Sequence, residues 1–291
     1  MPQASDFQLP PNFFTLPRLS ESEFAQLRDI VYARFGIHLS EKKHQVVVGR
    51  LRDLLSRDGF KNFNEYLAHL AMDQSGHALS DLANRISTNH TFFFRESNHF
   101  SFFFEQVLPE FVRRLRAAGS PDLRVWCAGC ASGEEAYTLA MLLLEFLGLE
   151  YPSWSAGVLG TDISTRALAL AKAGVYPEER AELVPPVLKI RYFRPEGRGQ
   201  LAVSDRVRQE VTFRRFNLMN AVFPFKKPFH VIFCRNVMMY FDAVTRAALV
   251  QRLCNATAPG GYLFIGHSET LEHGRCPYEY VMPAVYRKGS A

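Results

Sequence analysis

LRVWCAGCASGEEAYTLAMLLLEFL, residues 123–147, is the stretch that decides the fold. Its first five residues, 123–127, read as a short apolar strand. Residues 128–133 are a loop of Gly, Ala, Ser and Cys. From Glu134 to Leu147 the chain turns to strong helix formers. The same alternation then repeats. Residues 157–161 read as a strand ending at Asp162, and 164–173 as a helix. Residues 230–234 and 262–266 are later apolar strands, and 278–287 can supply an antiparallel edge. Strands alternating with helices predict an α/β domain: a doubly wound, mostly parallel sheet with helices on both faces.

Working outward, no convincing strand precedes residue 123. Ser20-Glu21-Ser22-Glu23 has capping-box spacing, and Phe24, Leu27, Ile30, Val31 and Phe35 recur at helical intervals after it. A second helix is expected over 41–55, with Val47, Leu51, Leu54 and Leu55 inward, and shorter ones over 64–72 and 77–86. Residues 1–17, with four prolines, read as a flexible arm. The expected organisation is this arm, a small all-helical N-terminal domain (18–88), a linker and linker helix (89–120), and the α/β domain (121–291). Within the last, 176–216 breaks the alternation. It holds Pro185-Pro186, Gly197, Gly199 and strand-like pieces at 200–203 and 211–216, and is read as an inserted small β-subdomain.

At 291 residues the chain is longer than most single domains, and 47% hydrophobic with 22% charged residues is ordinary for a soluble globular protein. The start lacks the basic-then-apolar pattern of a secretory signal. The longest apolar run, 137–149, is broken by Glu145 and is shorter than the roughly 20 residues a bilayer requires. A cytoplasmic protein without membrane insertion is expected. Five scattered cysteines argue against a disulfide framework, and Cys127-x-x-Cys130 has no second pair at zinc spacing, so no metal is expected. The net charge is +5, and residues 178–227, with 11 Lys/Arg against 6 Asp/Glu, contain the whole excess. That excess serves solubility or the docking of an acidic or polar partner. No Lys/Arg run or nucleic-acid motif appears, so no nucleic-acid partner is expected. Lys43, Arg50 and Arg57, seven apart, drift only about 20° per step around a helix. They form either a solvated basic face or a contact for an acidic partner helix.

In a doubly wound sheet the ligand lies beyond the carboxyl ends of the strands. Three loops meet there. The first, 127–135, lacks GxGxxG and is a poor pyrophosphate cradle. Glu134 and Glu135 stand where a phosphate would be repelled and an ammonium attracted, which favours S-adenosylmethionine over NAD. Its small residues would let a ligand approach the backbone. The second loop begins at Asp162, able to accept from ribose hydroxyls or to cap the next helix. The third is Phe233-Cys234-Arg235-Asn236, followed by Tyr240-Phe241.

These residues carry a resemblance. Asn89-His90-Thr91-Phe92-Phe93-Phe94-Arg95 is similar to the N-x-T-x-F-F-R segment of the chemotaxis receptor glutamate methyltransferases, the CheR family. Trp126 to Tyr137 resembles its W-x-A-x-x-S-x-G-E-E-x-Y segment. Thr161-Asp162-Ile163, Asn217-Leu218, Phe233 to Val237 with Tyr240-Phe241, and Gly266-His267-Ser268-Glu269 follow in the family's order. Two positions depart from the pattern: His230 stands where the family usually has Asp, and Ala136 where it has Pro.

The resemblance implies an S-adenosylmethionine-dependent methyltransferase fold. It also implies cofactor contacts at Asn89, Thr91, Arg95, Glu135, Asp162, Asn217, Leu218, Arg235 and Asn236. Glu135 rather than Glu134 would meet the methionine amino group, and Arg95 and Tyr240 would lie nearest the reacting methyl. The implied substrate is the cytoplasmic domain of chemoreceptors (methyl-accepting chemotaxis proteins), met by a monomeric enzyme. Lys43, Arg50 and Arg57 would contact the methylation helices, and the β-subdomain would grip a receptor tail, as in some relatives. A glutamate of pKa about 4.3 is ionised at neutral pH and needs no general base. His90, His99, His230 and His267 are accordingly expected to be structural, and the run Phe92–Phe94 with Phe100 and Phe102–Phe104 to be core. Methylation of another carboxylate, a non-catalytic cofactor-binding regulator and, least favoured, an NAD oxidoreductase are the alternatives.

Overall fold

The computed structural model describes residues 18–272 and 276–290. The arm expected over 1–17 lies outside the described residues. The chain forms two compact units, one containing residues 39–86 and those up to 33, the other residues 34–38 and 87 onward.

The first unit is helical: Glu21–Phe35, His44–Asp58, Phe63–Met72 and His77–Ile86, with a 3₁₀ turn at Glu41–Lys43. The capping box forms as its spacing predicts. The Ser20 hydroxyl accepts from the Glu23 amide at 3.3 Å, and the Glu23 carboxylate accepts from the Ser20 amide at 2.8 Å. Leu27, Val31, Leu51, Leu55, Phe63 and Leu82 are buried in its core. The expected basic face is altered. Lys43 falls in the 3₁₀ turn, before the helix proper. Arg50 donates to the Ile86 carbonyl at 2.7 Å, and Arg57 pairs with Asp58 and Asp81. Arg50 and Arg57 are therefore engaged within their own unit.

Among the described residues the second unit holds ten strands: β1 (Asp122–Ala128), β2 (Ser155–Asp162), β3 (Val175–Pro177), β4 (Phe193–Gly197), β5 (Gln200–Val203), β6 (Val211–Arg215), β7 (Phe229–Phe233), β8 (Thr257–Phe264), β9 (Glu279–Met282) and β10 (Val285–Arg287). Seven form one sheet in the order β6-β2-β1-β7-β8-β10-β9, parallel from β6 to β8 with an antiparallel β10 and β9 at one end. Helices Glu134–Leu147, Thr165–Ala173 and Ala243–Ala256 make the crossovers. β3, β5 and β4 form a separate antiparallel sheet. One expectation is corrected here: Val211–Arg215 belongs to the large sheet, not to the inserted one. Val211 and Phe213 alternate inward, so the strand pairs with β2 from Val158↔Val211 to Asp162↔Arg215 and buries Phe213 against Tyr137.

The Phe-rich run after Arg95 packs as core. Helix Ser97–Phe102 continues through a π turn, Phe103–Val107, into Leu108–Ala117. Phe100 and Phe103 lie against Phe233, which itself stacks on Phe264 at 4.2 Å. Burying such a ring stabilises by roughly 1.5–3 kcal/mol relative to exposure. This packing fixes the linker helix to β7 and β8 and so places Arg95 beside their carboxyl ends. Among the described residues, no helix is long and apolar enough to cross a membrane.

Candidate active site

Crossovers leave β1 in opposite directions along the sheet, toward β2 on one side and, later, toward β7 on the other. That reversal is the point at which doubly wound sheets hold ligands. The loops after β1, β2 and β7 lie side by side there, and the linker at residues 89–96 joins them.

The loop after β1 is tied to β2. The amides of Gly129 and Cys130 both donate to the Thr161 carbonyl, at 2.7 and 2.9 Å. Gly129 and Gly133 have φ of +81° and +96°, and a Cβ at either would lie 2.5 Å from Val237 or 2.8 Å from Ala171. These glycines serve left-handed backbone and close packing within the protein. Cys127 and Cys130 are fully buried, and burial pushes both thiols well up, so they remain protonated.

The paired glutamates part company. Glu134 is completely buried, accepts from the Ser132 hydroxyl at 2.7 Å and pairs with Arg180 at 2.8 Å. Glu135 turns toward the strand ends and pairs with Arg235 at 2.8 Å, with the Cys127 thiol donating to its other oxygen at 3.2 Å. Two bare negative charges, as the sequence argument has it, are therefore not what the site presents: each is matched by an arginine. Arg180 carries no motif signal, since it lies in the irregular basic segment.

Arg235 is the cation at the centre. Its side chain is 1% exposed, and it donates to Glu135, to Glu96 at 3.0 Å and to the Arg95 carbonyl. Asn236 follows in left-handed backbone, φ 58°, and its amide group donates to Glu96 at 3.3 Å. Glu269 is buried. One of its carboxylate oxygens accepts from the amides of Asn236 and Gly266, the other from Met239. It thereby anchors the 3₁₀ turn Met238–Tyr240 that carries Tyr240. Glu96 and Glu269 both lie in or beside the segments quoted above, but nothing in sequence alone separates a hub carboxylate from a solvated one.

The remaining expected contacts are distributed as follows. Asp162 is 8% exposed and accepts from the Ala131 and Ser164 amides at 2.9 and 2.8 Å, bracing one loop on the other; the cap of the following helix is Ser164 itself. Burial pushes the Asp162 carboxyl up while those amides pull it back. Asn89 donates to the Ser164 hydroxyl at 3.4 Å, and the Thr91 carbonyl accepts from Arg180. Arg95 is half-buried, donates to the His90 carbonyl at 3.0 Å and reaches Glu96 at 4.0 Å. Asn217 donates to the Arg34 carbonyl and accepts from the Met219 amide, and Leu218 is buried. His230 is buried with Nδ1 accepting from the Arg124 amide, and burial lowers its pKa to about 4.

Two family models match the chain. "CheR methyltransferase, all-alpha domain" covers residues 22–87, and "CheR methyltransferase, SAM binding domain" covers 89–285. A chemotaxis protein methyltransferase of Borreliella burgdorferi is 43% identical over 93% of this chain and 95% of its own length. Chemotaxis protein methyltransferase 2 of Pseudomonas aeruginosa is 37% identical over 92% and 93%. The chemotaxis protein methyltransferase of Escherichia coli is 36% identical over 88% and 86%. An all-helical unit followed by a mostly parallel sheet, with an acidic residue and an arginine facing each other at its switch point, agrees with these matches over nearly the whole length. The chain belongs to the CheR family of S-adenosylmethionine-dependent methyltransferases.

Proposed function

We propose that this enzyme transfers a methyl group from S-adenosylmethionine to glutamate side chains on the cytoplasmic domain of bacterial chemoreceptors, forming methyl esters in sensory adaptation. The observation that supports it best is the Glu135–Arg235 pair. A carboxylate and a guanidinium in contact at the strand ends match the ammonium and carboxylate of an amino acid, so the donor set fits this cofactor. Glu135 would receive the ammonium, and Arg235 or Arg95 the carboxylate. Asp162 would take the ribose through its spare lone pairs, with Asn89, Thr91, Asn217, Leu218 and Asn236 completing the contacts. Bound there, S-adenosylmethionine supplies a methyl already activated on sulfur.

The chain's own task is orientation. The incoming glutamate is ionised at neutral pH, so no side chain need remove a proton. Arg95, beside the site and half-exposed, would steer that carboxylate, and Tyr240 would close the far side and exclude water. Holding two reactants in line contributes up to about 7–11 kcal/mol to such reactions. Lys43, Arg50 and Arg57 on the helical unit, and the small sheet β3-β5-β4, would meet the receptor; the enzyme would act as a cytoplasmic monomer.

The test is a receptor fragment incubated with radiolabelled S-adenosylmethionine. Base-labile label on receptor glutamates is expected, and Arg95→Ala is expected to abolish it while leaving the fold intact. Absence of label with wild-type enzyme would overturn the substrate assignment. Full turnover by a folded Arg95→Ala variant would remove Arg95 from the mechanism.

A further inference from the structure

Glu96 is not among the expected cofactor contacts, yet three groups from two segments converge on it. Its carboxylate accepts from Arg235 at 3.0 Å, from the Asn236 side chain at 3.3 Å and from the His267 amide at 3.2 Å. Its backbone lies in the left-handed region, φ 59° and ψ 60°, and Phe94 two residues earlier has φ 58°. Non-glycine residues held there are strained, and such strain concentrates where a side chain must be aimed. Burial pushes the Glu96 carboxyl up, but Arg235, Asn236 and His267 outweigh it and hold it below its ordinary range. It is an anion at neutral pH.

Glu96, His99 and His267 also place their ligand atoms within 4.8 Å of one another, in the manner of a metal centre. The carboxylate oxygen that faces His99 Nδ1 at 3.7 Å is, however, the one that Arg235 already occupies. A dication there would sit against a buried guanidinium. His99 itself is buried, and burial lowers its pKa to about 4, so it adds no positive charge to the cluster. The chemistry is that of a hydrogen-bonding hub.

The consequence lies in the charge balance of Arg235. This buried cation has two carboxylate partners, Glu96 and Glu135. If Glu135 alone had to neutralise it, Glu135 would be committed and could not also receive an ammonium group. With Glu96 taking half of the guanidinium, Glu135 keeps acceptor capacity. We infer that Glu96 is the positioning residue for the amino-acid end of the cofactor, holding Arg235 and Asn236 so that Glu135 remains available; this rests on the reading of the site proposed above.

The experiment compares two ligands by calorimetry with the full chain. S-adenosylhomocysteine carries the amino-acid end, and 5′-methylthioadenosine lacks it. For Glu96→Gln, S-adenosylhomocysteine affinity is expected to fall about 10- to 100-fold, as for loss of a charged hydrogen bond, with 5′-methylthioadenosine affinity held within about twofold. Equal weakening of both ligands would reduce Glu96 to a structural residue and overturn the inference, as would no weakening of either. Should the glutamine variant not fold, Glu96→Asp, which keeps the charge but shortens its reach, is expected to show the same selective loss at smaller size. Wild-type protein that binds no S-adenosylhomocysteine would instead sink the cofactor assignment itself, an outcome distinct from either of these.

Discussion

Replacing Glu269 by Gln tests whether one buried carboxylate organises the loops that carry Arg235, Asn236 and Tyr240. One Glu269 oxygen accepts from the amides of Asn236 at 2.9 Å and Gly266 at 2.7 Å; the other accepts from Met239 at 3.0 Å. Glutamine can place its carbonyl oxygen on the first pair and keep both bonds. Its NH₂ then faces the Met239 amide, donor against donor. The loss is one hydrogen bond to a charged acceptor plus one buried N–H left without a partner, together about 2–3 kcal/mol. Glu269→Ala leaves all three amides without that acceptor and is expected to cost about 3–5 kcal/mol, the entry of water limiting the sum. Urea unfolding at pH 7 followed by tryptophan fluorescence is the assay. The only two tryptophans of the sequence, Trp126 and Trp154, both lie in the second unit, so the signal reports that unit alone. A Glu269→Gln variant within about 0.5 kcal/mol of wild type would refute the reasoning, because surface substitutions without a structural role fall in that range.

Arg180→Met strips the fully buried Glu134 of its cation and is expected to destabilise by about 3 kcal/mol in the same assay, with Glu134→Gln in the Arg180→Met background recovering part of the loss. Gly133→Ala places a Cβ 2.8 Å from that of Ala171 at φ +96° and is expected to cost about 2–3 kcal/mol, well above the roughly 1 kcal/mol of an unstrained Gly→Ala change. Acid sensitivity follows from His230, lowered from 6.5 to about 4 by burial. As pH falls through 6.5 the unfolded chain takes up a proton that the folded chain refuses until about 4, so the stability held above pH 6.5 is lost across that window. His99 acts in the same sense. His230→Asn, which keeps an acceptor for the Arg124 amide, is expected to make the acid limb of stability against pH shallower by up to about 1.4 kcal/mol per pH unit. An unchanged limb would show that His230 is protonated in the folded state.

Much of the fold was legible because it rests on local patterns. The strand–loop–helix of residues 123–147, the capping box at Ser20 and the helical intervals after Phe24 each form from short-range rules that a sequence displays. Val211–Arg215 was misplaced for the opposite reason. Its alternating apolar residues say only that it is a strand, and which sheet it joins depends on Phe213 meeting Tyr137, some 76 residues away. The site shows the same division. Glu135, Asp162 and Arg235 sit where strand ends must put them, and motif spacing marks them. That Arg180 silences Glu134, or that Asn217 spends its side chain on the Arg34 carbonyl and the Met219 amide, depends on long-range pairing that no spacing encodes. The basic excess of residues 178–227 was visible as composition. Arg180, Arg191 and Lys227, however, pair with Glu134, Glu145 and Asp122, all outside that segment, so part of it is spent inside the unit.

The most direct test of the site is calorimetric titration of S-adenosylhomocysteine into wild-type enzyme and Glu135→Gln. Recognition of the amino-acid end by the Glu135–Arg235 pair predicts binding to wild type and an affinity about 10- to 100-fold weaker in the variant, the loss of one charge-assisted contact. Equal affinities in the two folded proteins would contradict it.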